Sequence, residues 1–134
     1  MARILLVEDD PVLGKSLKFA LEKEGYETVV SHDGQEGLRK AISTSPDFIL
    51  LDLMLPSLNG IEILRELRSN ERTKNTPIIV VTAKAEETDQ VVGFSMGADD
   101  YVTKPFSVKV LLQRIKALKR RTEPAEEELE IKVL

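Results

Sequence analysis

Phe48-Ile49-Leu50-Leu51 is apolar at every position, and the run ends on the carboxylate of Asp52. A strand with one wet face alternates polar and apolar residues, whereas a parallel strand covered on both faces reads as an unbroken apolar run. Ile4–Val7 and Ile78–Val81 share this character, and Thr28–Val30 and Tyr101–Val102 are shorter β-rich runs. Helical patterns separate these five runs and follow the last. Asp10-Pro11 opens the first helix and Gly25 closes it; Asp33-Gly34 precedes the second and Ser45-Pro46 stops it. Asn59-Gly60 precedes the third, the fourth spans about 86–96 with Gly93 inside it, and the fifth runs from Ser107 to about Arg121. Five such units predict an α/β fold: a doubly wound, five-stranded parallel sheet in the order 2-1-3-4-5, with five helices.

At 134 residues the chain is long enough to bury a core without staples. It has no cysteine, which excludes disulfides, thiolate metal sites and cysteine nucleophiles. Its single histidine, His32, cannot build a zinc site with partners of its own kind and reads as an exposed loop residue without a role. No apolar run reaches the roughly 18 residues that cross a membrane, and no signal peptide is visible, so a cytoplasmic protein is expected. The net charge of −4 is carried by the last twelve residues, which hold five acids and one base, while residues 1–122 are neutral. A neutral body argues against direct nucleic-acid binding, which needs a surplus of Lys and Arg. Residues 1–122 are therefore read as one domain. Residues 123–134 are read as an acidic linker leading, at Leu129–Leu134, into the start of a truncated output domain.

Open α/β sheets bind ligands outside the carboxyl ends of their strands. Those ends here are Glu8-Asp9, Asp52, Thr82 and Lys104-Pro105. An isolated ionised aspartate costs several kcal/mol to bury, so Asp52 requires a partner. Three carboxylates without cysteine or histidine suit a hard cation, Mg²⁺ or Mn²⁺. A nearby lysine and hydroxyl suit phosphoryl oxygens, and phosphoryl transfer onto a carboxylate is the chemistry that matches. Asp10, followed by Pro11, reads as a helix cap rather than a metal ligand. Two other chemistries use the same rim. An aspartate-nucleophile phosphatase or dehalogenase usually carries a second acid two residues after the nucleophile, where this chain has Met54. A flavodoxin-like cofactor module needs a phosphate-cradling loop of glycines and hydroxyls, where this chain has Glu8-Asp9-Asp10.

The segments ILLVEDD, DFILLDLMLPSLNGIEIL, PIIVVTA and GADDYVTKPF stand in order at these strand ends. Together they resemble the receiver domain of two-component response regulators, over residues 3 to about 121, a flavodoxin-like fold. The resemblance implies a phosphorylation-activated signalling switch rather than a turnover enzyme. Asp52 would be the phosphoacceptor, with Glu8, Asp9 and the backbone carbonyl of Met54 completing a Mg²⁺ site. Thr82 would bind the phosphoryl group, Lys104 would pair with it, and Pro105 would follow a cis peptide bond. Tyr101 would be a rotameric switch that turns inward with Thr82. The implied partners are a sensor histidine kinase and a second copy of the chain. Dimerisation would use the face formed by the helix over 86–96, the strand at 101–102 and the last helix.

The C-terminal third is most similar to the branch of response regulators with a winged-helix DNA-binding output domain, which dimerises through that face. Asp99, Asp100, Arg114 and Lys116 are the expected charge-pair residues. The branch usually has a base near position 90 and an acid near position 110, where this chain has Gln90 and Val110. DNA contact is expected only through the output domain, and no membrane is expected. A single-domain phosphorelay carrier without DNA output is the alternative.

Overall fold

Successive residues of a strand point to opposite faces, so Ile4 and Leu6 should enter one core while Leu5 and Val7 enter another. The computed structural model, which describes residues 2–53, 55, 60–83 and 97–122, shows this division. Strand β1(Arg3–Val7) leads into helix α1(Pro11–Lys23), then β2(Glu27–Ser31), α2(Gly34–Thr44), β3(Phe48–Leu51), α3(Gly60–Ser69), β4(Ile78–Thr82), β5(Asp100–Thr103) and α4(Val108–Thr122). The strands form one parallel sheet in the order β2-β1-β3-β4-β5, as expected. Ile4, Leu6, Phe48 and Leu50 pack with Leu17 and Leu21 of α1 and Leu111, Ile115 and Leu118 of α4. Leu5, Val7, Ile49 and Leu51 pack on the other face with Ala41 of α2 and Ile63, Leu64 and Leu67 of α3. Four helices lie among the described residues, α4 being the fifth of the expected set. The expected helix over 86–96 and the acidic segment 123–134 lie outside the described residues.

Most strands are longer than the apolar runs that announced them. The register pairs Arg3 with Glu27 and Val7 with Ser31, and Thr82 with Thr103, so polar residues end the ladders. Backbone pairing extends β structure past the buried side chains. The helix starts follow the local chemistry. Asp10 caps α1, its Oδ1 accepting from the N–H groups of Val12 and Leu13 at 3.0 and 3.3 Å, and Pro11 takes the first helical position. Asp33 caps α2 in the same way, accepting from Gln35 at 2.7 Å.

Two buried helical glycines differ in how closely they are approached. At Gly60 a Cβ would lie 2.3 Å from the Cα of Leu53 and 2.9 Å from the carbonyl oxygen of Asp52. The first turn of α3 therefore rests on the backbone that leaves β3, and the Gly60 N–H donates to the Leu53 carbonyl at 3.2 Å. At Gly14 the same test finds only ordinary contacts, 3.4 Å to Val30 and 3.5 Å to His32. Gly60→Ala is expected to lower stability by about 2 kcal/mol or more, because backbone must move. Gly14→Ala, inside α1, is expected to be neutral or to gain up to about 1 kcal/mol from helix propensity. Urea unfolding of the two variants checks the contrast.

Candidate functional site

The strand order reverses direction between β1 and β3, and the crevice outside such a reversal is where this architecture places its ligands. Glu8 and Asp9 follow β1 and Asp52 follows β3, so adjacent strands deliver the acids to the same place. The Asp52 N–H continues the ladder by donating to the Val7 carbonyl at 3.0 Å, and the Glu8 N–H donates to the Ser31 carbonyl at 2.9 Å. Glu8 is 1 % exposed and Asp52 4 %, while Asp9 lies in the open. One carboxylate oxygen from each of the three falls within 4.8 Å of the others. This is an all-oxygen donor set of the kind hard divalent cations take.

The partner required by the buried acids arrives from the far side of the sheet. Lys104 follows β5 and extends past β4, its Nζ donating to Glu8 Oε1 at 2.6 Å and to Asp52 Oδ2 at 2.9 Å. The Lys104–Pro105 peptide bond, just past the end of β5, is cis.

The electrostatics follow from burial. Desolvation pushes the Glu8 carboxyl up to about 7, against the hydrogen bond from Lys104, with the nearby charge of Asp52 adding to the rise. For Lys104, burial pulls the pKa down, but the hydrogen bonds and charges of Glu8 and Asp52 outweigh it and the net shift is upward. The lysine is thus held as a cation. Because Glu8 has a higher pKa folded than unfolded, its ionised form opposes folding. That cost is fully present above about pH 7 and is relieved as the pH falls through about 7 toward the ordinary carboxylate range. Among the described residues, two buried carboxylates and one ammonium leave, when both acids are ionised, an excess of negative charge that a further cation would neutralise.

Thr82 is the last residue of β4, in register with Thr103. Tyr101, on β5, is 9 % exposed and belongs to the core cluster on the α2–α3 face. Met54 lies outside the described residues, as does Gln90. The residues expected at a dimer face have partners within the chain: Arg68 bonds Asp99 at 2.9 Å, Arg114 bonds Asp100 at 3.1 Å, and Lys116 stands 3.8 Å from Glu24. Val110 is exposed on α4.

Two features were not read from the sequence. His32 directs Nδ1 to the Glu8 carbonyl oxygen at 2.9 Å. Arg68 donates to the carbonyls of Gly97 and Thr76 at 2.9 and 2.6 Å as well as to Asp99. Both contacts join segments distant in sequence, and neither residue lies in a motif that would signal it.

Residues 4–116 match the family described as the response regulator receiver domain. A relative named response regulator ArlR from Staphylococcus saprophyticus is 47% identical over 132 residues, covering 98% of this chain and 58% of that protein. The protein of the same name from Staphylococcus aureus is 49% identical over 121 residues, covering 90% and 54%. The chain thus spans a little over half the length of these relatives. Among solved structures, a CheY-like response regulator receiver domain protein from Methanospirillum hungatei superposes with a TM-score of 0.88 at 33% identity, covering 93% of this chain and 98% of that one. The receiver domain of a sensor histidine kinase from Pseudomonas aeruginosa, described with a magnesium ion coordinated in its active-site cleft, gives 0.77 at 38% identity, covering 85% and 93%. This chain belongs to the response regulator receiver domain family.

Proposed function

We propose that the chain is a phosphorylation-activated switch in which Asp52 accepts a phosphoryl group from a sensor histidine kinase. The observation that carries this reading is the single ammonium of Lys104 held between Glu8 and Asp52 beside a third carboxylate. In the transfer, an oxygen of the Asp52 carboxylate forms a bond to phosphorus. The phosphorus–nitrogen bond of the donor phosphohistidine breaks, and the departing imidazole keeps its electron pair and takes up a proton. Asp52 suits the role because its neighbours fix its orientation: its N–H is tied to β1, and Lys104 bonds its Oδ2. Lys104 then exchanges the carboxylate for a phosphoryl oxygen while keeping its bond to Glu8, so the cation follows the new negative charge.

The donor set of Glu8, Asp9 and Asp52, with the Met54 carbonyl, would hold Mg²⁺ or Mn²⁺. When bound, such an ion supplies positive charge against the equatorial phosphoryl oxygens. The description of the Pseudomonas receiver domain with magnesium in its cleft supports that choice. Thr82 would bond a phosphoryl oxygen, and Tyr101 would respond with it. The tyrosine ring is buried in this structure, so the switch would act by letting it out or keeping it in. The expected helix over 86–96, with β5 and α4, would form the face that changes. Dimerisation there would exchange the internal partners of Asp99, Asp100, Arg114 and Lys116 for partners on a second copy. The phosphoryl group turns over on the chain itself, so the domain is a self-modifying switch and not an enzyme on an external substrate.

Receiver boundaries of 1–122 are part of this reading, with 123–134 as a linker into a winged-helix DNA-binding domain. The greater length of the relatives supports it. No described helix is long and apolar enough to cross a membrane, and a cytoplasmic location belongs to the same proposal.

Incubation with acetyl phosphate and Mg²⁺ is expected to add one phosphoryl group by intact mass. Omitting the metal, or substituting Asp52→Asn, is expected to abolish the gain; a gain that survives in Asp52→Asn would place the acceptor elsewhere. Lys104→Met leaves two buried carboxylates without their counter-charge. In chelator it is expected to lose about 3 kcal/mol. Magnesium should raise its thermal midpoint more than that of the wild type, since the cation no longer competes with the ammonium.

A further inference from the structure

His32 is the one histidine of the chain, and nothing in the proposed transfer uses it. Its Nδ1 lies 2.9 Å from the backbone oxygen of Glu8. A carbonyl oxygen only accepts, so Nδ1 carries the proton and donates. The preceding residue, Ser31, accepts from the Glu8 N–H at 2.9 Å through its own carbonyl. Consecutive residues leaving β2 therefore grip Glu8 from both ends of its backbone. The residue is exposed, as expected of a loop histidine, with its ring edge alongside α1, Cε1 3.5 Å from where a Cβ on Gly14 would stand.

The carbonyl that His32 engages belongs to the peptide joining Glu8 to Asp9, two of the three acids that converge. The plane of that peptide sets the directions in which both side chains depart. Magnesium accepts little deviation from octahedral geometry, so a tilt of this plane would spoil two ligands together. We infer that His32 is a positioning residue for the acid cluster, fixing the Glu8–Asp9 peptide so that both carboxylates meet one divalent cation. The inference rests on the proposed reading of that cluster as a magnesium site. It adds a residue that acts through the backbone and touches neither the cation nor the phosphoryl group.

Magnesium titration by calorimetry on the wild type, His32→Ala and His32→Asn tests it, with thermal midpoints in chelator and phosphoryl gain from acetyl phosphate measured alongside. The Asn amide places a donor where Nδ1 stands, and Ala places none. His32→Ala is expected to weaken magnesium binding about tenfold, the usual scale for loss of a group that orients a metal ligand. Its phosphoryl gain should be slow at limiting magnesium and recover at saturation. His32→Asn is expected to stay within about twofold of the wild type, because the donor is kept. Equal magnesium affinity in His32→Ala and the wild type would overturn the inference. So would an equal loss in both variants that follows their thermal midpoints, since that marks packing alone. A wild type that neither binds magnesium nor gains mass would remove the reading of the cluster itself. A wild type that does both, with His32→Ala unchanged, would remove only the role of His32.

Discussion

The ammonium of Lys104 lies between two carboxylates that the fold has almost completely removed from water. Without it, Glu8 and Asp52 would face each other as buried like charges, and one would have to take up a proton. Most of the remaining architecture brings that nitrogen to that place. The parallel sheet puts the exits of β1 and β3 side by side, and β5 stands one strand beyond β4. A lysine side chain is long enough to span the interval. The contact joins residues 96 and 52 positions apart, so it exists only once the whole sheet is assembled. The site is thereby a report on correct folding as well as a consequence of it.

Burial also makes the site responsive. Burial and the Asp52 charge push the Glu8 carboxyl up to about 7, so once Glu8 is ionised the pocket holds more negative charge than Lys104 offsets. Such a pocket gains from any well-placed cation and tolerates the arrival of an anion only beside one. An aspartate fixed there is poised for a change in charge, because small alterations of its neighbours are weakly screened. A bound divalent ion would relieve this electrostatic shortage, and a phosphoryl group on Asp52 would deepen it.

Much of this was legible before the structure. Unbroken apolar runs specified parallel strands with two covered faces, and the rule for strand ends then placed Glu8, Asp9, Asp52 and Lys104 on one rim. Asp10-Pro11 announced its own role as a cap, because that pair has a local meaning. The strand lengths were less legible: Arg3, Glu27 and Ser31 join the ladder by backbone pairing, which leaves no mark in side-chain hydrophobicity. His32 and Arg68 were not legible at all. Each acts on backbone carbonyls far along the chain, and any residue can offer a carbonyl. The acids at 99 and 100 were read as members of a dimer face, and in the single chain Arg68 and Arg114 pair with them. Charge pattern alone cannot tell an internal pair from an external one.

Arg68 lies at the other end of β4 and β5 from Lys104. Asp99, which it holds, also accepts from the Ile78 N–H at 2.8 Å, so the first residue of β4 and the residue before β5 share one anchor. A planar guanidinium that reaches four carbonyls and a carboxylate at once cannot be replaced there by a lysine, whose single nitrogen has no such fork. The outer edge of the sheet is therefore pinned at its amino end by geometry and at its carboxyl end by charge. The two ends of β5 are thus held by different means: at one a guanidinium fork set by geometry, at the other a balance of charge that would alter with whatever enters the acid cluster.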